Sequence, residues 1–191
     1  RFISEERALE QSHISIGFPG ASRHSKSRYA LDLLIAILGE GMSSRLFQEI
    51  REKRGLAYDI GAGVSHHTDT GAINIYAAVD KNKYETAIHL ISKELQEIKT
   101  NTNIEELDKV KSLFTGRLKL NREDTRSVAN WNCNQTLNED PFQSTKDYVK
   151  KLTDVSLDEI MNVSSEYLLE ENMNIAVVGP AESHHDPRRF K

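Results

Sequence analysis

GMSSRLFQEIREKRGLAYDIGAG, residues 41–63, changes its pattern midway. Ser43 or Ser44 can cap a helix, and Leu46, Phe47 and Ile50 then recur at three- and four-residue spacing until Gly55 stops the run. Beyond it Tyr58, Ile60, Ala62 and Val64 alternate with Asp59, Gly61, Gly63 and Ser65, the two-residue period of a strand. Arg51 therefore falls near the end of a predicted helix and Tyr58 at the start of a predicted strand, with six residues between them. A guanidinium and a phenol brought together over such a turn can grip a peptide carbonyl and the charge that develops on it. On spacing alone the plainer reading is the stronger. It makes Arg51 one solvated charge of REKR and Tyr58 a half-buried strand aromatic. One detail tells the other way: Arg51 lies four residues after Phe47 and so shares its side of the helix.

Working outward, Ile14, Ile16 and Phe18 share one face of a predicted strand over 12–18, which Pro19-Gly20 stops. The run YALDLLIAILGEG from Tyr29 is apolar nearly all round and ends at Gly39 and Gly41, as a buried helix does. After the strand at Tyr58 come HTDTG and AINIYAAV. These predict a hairpin with a five-residue connection and a central second strand, apolar on both faces. Tyr84, Ala87, Ile88, Ile91, Leu95 and Ile98 mark an amphipathic helix. Thr102 with Glu105, and Ser156 with Glu159, are the capping boxes of two more helices. Further helices are predicted over 124–137 and 143–151, and a last strand over Met173–Val178. The order gives an α+β fold with a single mixed, mainly antiparallel sheet covered by helices. One domain is expected over 1–180 and a disordered tail over 181–191.

A chain of 191 residues suits one domain with a real core. Hydrophobic residues make up 38% and charged residues 28%, with a net charge of -4, so no basic footprint for nucleic acid exists. No apolar run reaches the roughly 20 residues a bilayer demands, and no membrane partner is expected. A cytoplasmic location is the expectation, although an upstream targeting segment could precede Arg1. The single cysteine, Cys133, excludes an internal disulfide and a Cys-based zinc cluster, and reads as a structural thiol.

Few residues could carry chemistry. The histidines are His13, His24, His66, His67, His89, His184 and His185, and neither H-E-x-x-H nor H-x-x-E-H occurs among them. His66 and His67 point to opposite faces of a strand end and cannot easily share a metal. His89 reads as a half-exposed helical residue. There is no G-x-S-x-G elbow, and LGEGMSS lacks the lysine of a phosphate loop. Arg51 and Tyr58 remain.

The string GMSSRLFQEIREKRGLAY, the closing NIAVVGP of residues 174–180 and the opening strand with its Phe-Pro-Gly together resemble the pitrilysin family of metallopeptidases, which includes the mitochondrial processing peptidases. The resemblance is to the half without zinc, a metallohydrolase half of the LuxS/MPP type, and covers roughly residues 8–180. It implies two related α+β halves closing around a peptide like a clamshell. One half carries an inverted H-x-x-E-H zinc site whose Glu activates the metal-bound water. The other supplies an Arg and a Tyr that contact the substrate backbone, and by resemblance these are Arg51 and Tyr58. No metal is then expected in this chain. Zinc belongs to a partner half, either on the same polypeptide or on a separate subunit. Peptides are the implied substrates, the open face offers a surface for self-association, and the chain alone should not hydrolyse peptides. The alternative is a non-catalytic regulatory or structural subunit of a larger complex that kept the fold.

Overall fold

The computed structural model describes residues 1–138 and 142–180. Five strands form one sheet: β1 (Phe2–Glu6), β2 (Gln11–Gly20), β3 (Ala57–His66), β4 (Gly71–Asp80) and β5 (Asn174–Gly179). Their order across the sheet is β1-β5-β2-β4-β3. Only β1 and β5 run parallel; β2 pairs antiparallel with both β4 and β5, and β3 antiparallel with β4. The helices are α1 (Arg28–Gly39), α2 (Tyr84–Glu97), α3 (Ile104–Asn121), α4 (Thr125–Leu137), α5 (Thr145–Thr153) and α6 (Leu157–Tyr167). The α+β architecture with a mixed, mainly antiparallel sheet is as the sequence predicts.

The period-two pattern of β2 works as expected. Ile14, Ile16 and Phe18 are buried against the helices, while His13, Ser15 and Gly17 turn to the half-open second face. On that second face Ser15 donates to Asn74 (2.7 Å), and His13 Nδ1 lies 2.9 Å from the Tyr76 hydroxyl. β4 is an interior strand but not apolar on both faces: Ala72 and Asn74 are exposed, while Ile73, Ile75, Ala77 and Val79 are buried. Pro19 and Gly20 do not stop β2, which continues to Gly20. β5 pairs with β2 only as far as Gly17. Beyond that point β2 has a free edge, where a proline costs no ladder bond.

α1 is the hub of the core. Leu31, Leu33, Leu34 and Leu38 are fully buried, and the helix packs between β3 and α6. Its last residue, Gly39, lies so close to β3 that a Cβ there would fall 2.3 Å from the Ala62 nitrogen. The approach of helix to strand thus depends on a missing side chain.

Several boundaries differ from expectation: the helix predicted over 143–151 spans Thr145–Thr153, and the last strand spans Asn174–Gly179. The connection between β3 and β4 has four residues, 67–70. The first capping box sits one residue on, at Asn103 and Glu106, because Thr102 is buried and turns its hydroxyl back onto the Ile98 carbonyl (2.7 Å). Neither Ser43 nor Ser44 caps the following helix; Ser44 donates instead to the Gly41 carbonyl (2.7 Å). The Ser156–Glu159 box forms as predicted. β1 has no counterpart in the sequence reading, and the expected tail over 181–191 lies outside the described residues.

Candidate functional site

The helix that begins after Ser44 does not stay α. Over Phe47–Glu52 it widens into a π-turn, with Lys53 N–H donating to the Gln48 carbonyl five residues back (3.0 Å). A π-turn inserts one residue, rotating the rest of the helix by roughly 100° relative to an unbroken α-helix. It is anchored from within by Leu46 and Ile50, both fully buried. Gly55, at φ +58°, then reverses the chain into β3. That left-handed conformation suits glycine, and Lys83 donates to the Gly55 carbonyl (3.1 Å) from the far side of the turn.

β3 opens with a second insertion. Its register against β4 passes from Ala57↔Val79 directly to Asp59↔Ala78, so Tyr58 has no counterpart. This is a β-bulge, a device that re-aims a side chain. Tyr58, 58% exposed, and Asp59 stand out between the buried Ala57 and Ile60. The half-buried strand aromatic of the plainer reading does not occur. Arg51 and Tyr58 each ride on a one-residue break in regular structure, and the π-turn packs against β3.

The charges around Arg51 are sorted in an uneven way. Glu49 takes Lys53 and also Arg54, whose Nη1 lies 2.5 Å from Oε2. Arg54, then Lys53, by their hydrogen bonds, hold the Glu49 carboxyl below its ordinary value. Arg45 donates from Nε and Nη2 to both oxygens of Glu106 (2.7 Å each) and from Nη2 to the Asn101 carbonyl. Burial works against charge in both partners of this pair, yet their mutual bonds raise Arg45 and lower Glu106. Arg51 is different. Among the described residues its guanidinium has no ion pair or hydrogen bond; it rests over the Phe47 ring, 5.1 Å from the centroid. The Tyr58 hydroxyl likewise has no hydrogen bond among the described residues. Two strong donors therefore face outward with nothing in the described chain to accept from them.

The far end of β3 is tied to the core. His66 directs Nδ1 at the Ala21 carbonyl (2.7 Å) and Nε2 at Asp32 Oδ1 on α1 (3.2 Å). The Asp32 bond, against the cost of burial, raises the His66 pKa above its ordinary value. Both ring nitrogens are thus engaged, which leaves His66 unsuited to bind a metal. Among the described residues no group of three His, Cys, Asp or Glu is placed to hold a metal ion. His184 and His185 lie outside the described residues. His89 is exposed on α2, and Cys133 is exposed on α4 rather than built into the core. No helix among the described residues is long and apolar enough to cross a membrane.

The fold is thus a five-stranded mixed sheet with helices packed around α1, and its helix-to-strand turn presents Arg51 and Tyr58 on the surface. The sequence profile described as the peptidase M16 inactive domain matches residues 1–114. The chain belongs to that family, as the pitrilysin resemblance implies. An uncharacterized zinc protease of Mycobacterium tuberculosis is 32% identical over 181 residues, covering 94% of this chain and 41% of the relative. Among solved structures, a protease from Helicobacter pylori superposes with a TM-score of 0.88 at 23% identity, over 94% of this chain and 44% of that one. A chain of a structure described as complex III2 from Candida albicans gives 0.86 at 18% identity, over 99% and 48%. The chain spans less than half the length of these relatives, and the two structural likenesses speak for the fold alone.

Proposed function

We propose that this chain is the substrate-gripping half of a zinc metalloendopeptidase of the M16, pitrilysin type. The observation that carries the reading is the pair of outward donors, Arg51 and Tyr58, set on adjoining breaks in regular structure and left without partners. Arg51 donates to a carbonyl of an extended peptide backbone. Tyr58 donates its phenolic proton in a hydrogen bond to the oxyanion that forms when a neighbouring carbonyl is attacked. A pre-placed donor of this kind contributes about 10²- to 10³-fold in rate. The zinc and its activated water belong to a companion half, on the same polypeptide or on another subunit, and this chain by itself does not hydrolyse peptides.

The test is Tyr58→Phe in the complete protease, with kcat and KM measured on an unfolded peptide. A bond made mainly in the transition state lowers kcat about 100-fold and leaves KM nearly unchanged. An unchanged kcat removes Tyr58 from the mechanism. The second reading is a non-catalytic subunit of a larger assembly that kept the fold. It gains ground if the companion half lacks H-x-x-E-H, and loses it if that motif is present.

A further inference from the structure

We infer that Phe47 is a positioning residue for Arg51, holding the guanidinium ready for a substrate carbonyl without consuming its hydrogen-bond donors. The inference rests on the reading of Arg51 given above. An exposed arginine samples many rotamers, and something must restrict it if it is to meet a carbonyl at a fixed place. A carboxylate would do so, but it would occupy the N–H groups and neutralise the charge. Among the described residues no carboxylate pairs with Arg51, and Glu49, two residues before it, is taken by Lys53 and Arg54. Arg51 lies instead over the Phe47 ring, with Cζ 5.1 Å from its centre. A stacked guanidinium keeps its five N–H donors in the plane, pointing away from the ring and open to an acceptor. The ring itself is steadied because Phe47 begins the π-turn between the fully buried Leu46 and Ile50. Aromatic shelf and guanidinium thus sit on one rigid turn, four residues apart.

The experiment uses the complete protease for kinetics and the 191-residue chain for spectroscopy. Phe47→Leu keeps an apolar side chain but removes the π face, and kcat/KM should fall about 5-fold, the size of an exposed cation–π contact. Phe47→Tyr restores the face and should stay within about 2-fold of wild type. On an Arg51→Ala background Phe47→Leu should cost nothing further, because the two residues act as one. In the chain alone, the Arg51 Nε–H resonance should show the ring-current shift of a stacked guanidinium. That shift should vanish in Phe47→Leu and persist in Phe47→Tyr. Equal losses in the Leu and Tyr variants, or an undiminished Phe47→Leu effect on the Arg51→Ala background, overturn the inference by making Phe47 merely structural. If Arg51→Ala lowers kcat/KM and Phe47→Leu does not, positioning fails while the role of Arg51 stands. If Arg51→Ala keeps wild-type kinetics, the role of Arg51 in catalysis fails instead, and the resonance shift still decides whether Phe47 holds it.

Discussion

The segment from Arg45 to His66 and the helix α4 make opposite use of backbone regularity. The first breaks its geometry twice, at the π-turn and at the bulge, yet it is anchored throughout. Leu46, Ile50, Ala57 and Ile60 are buried, Arg45 is clamped by Glu106, and His66 is fastened to Asp32 and Ala21. The second is an uninterrupted α-helix of 13 residues, capped by Asp124, and it buries none of them. Leu137 at its end is 73% exposed, and Phe142 beyond it 76%. Regularity comes from local hydrogen bonds and costs a helix little to keep, whereas fixed position comes from buried apolar contact. A site that must hold two side chains to within a fraction of an ångström belongs on the anchored segment, however irregular.

The strongest way to break this comparison is Gly39→Ala. The new methyl group meets backbone of β3, which cannot rotate away, so overpacking should cost about 3 kcal/mol. Urea unfolding with an unchanged midpoint would show that α1 does not anchor β3. Arg45→Met comes next. It leaves the partly buried Glu106 without its partner and should cost about 2 kcal/mol, read from the same denaturation midpoint. The third concerns pH. A raised His66 pKa means that the imidazolium is stabilised in the fold. That contribution is complete below pH 6.5, the ordinary value, and is lost as pH rises through the raised one. Asp32→Asn should remove about 1 kcal/mol at pH 6 and flatten the dependence above pH 6.5. A slope as steep as wild type would assign the effect to another group. Smallest of all, Leu137→Ser on α4 should change stability by less than about 0.5 kcal/mol. Amide exchange should also run much faster in α4 than in α1. A large loss from Leu137→Ser would mean that α4 is docked more firmly than its exposure implies.

Much of this was open to reading from the residues because it rests on local pattern. β2 and α2 display their apolar faces at periods of 2 and 3.6, and Ser156 with Glu159 announces its helix. β1 was not readable. FISEE shows no clean alternation, and what makes it a strand is pairing with β5, whose residues come more than 170 positions later, Phe2 opposite Ile175. The choice between Thr102 and Asn103 as a cap was equally hidden, since each has a Glu three residues on; burial of Thr102 decides it. For the candidate site, the type and neighbourhood of Arg51 and Tyr58 were plain, and the family string singled them out. The two insertions that present them were not, because one extra residue in a short window leaves the hydrophobic period undisturbed. Nor could the sequence say which base Glu49 would take, with Arg51, Lys53 and Arg54 all within reach.

The parallel pairing of β1 with β5 gives the domain a particular mechanical character. At one end of this pair the chain holds the Arg1 nitrogen 3.0 Å from the Met173 carbonyl. It leaves the sheet at Gly179, whose carbonyl accepts from the Arg7 N–H (2.8 Å). Tension applied between residue 1 and residue 180 pulls these two strands past one another along their length. All five residue pairs from Phe2↔Ile175 to Glu6↔Gly179 then resist together in shear, where an antiparallel arrangement would have peeled them apart one at a time. The strand that carries Tyr58 lies at the opposite edge of the sheet, with β2 and β4 between it and β5, and takes no part in this shear.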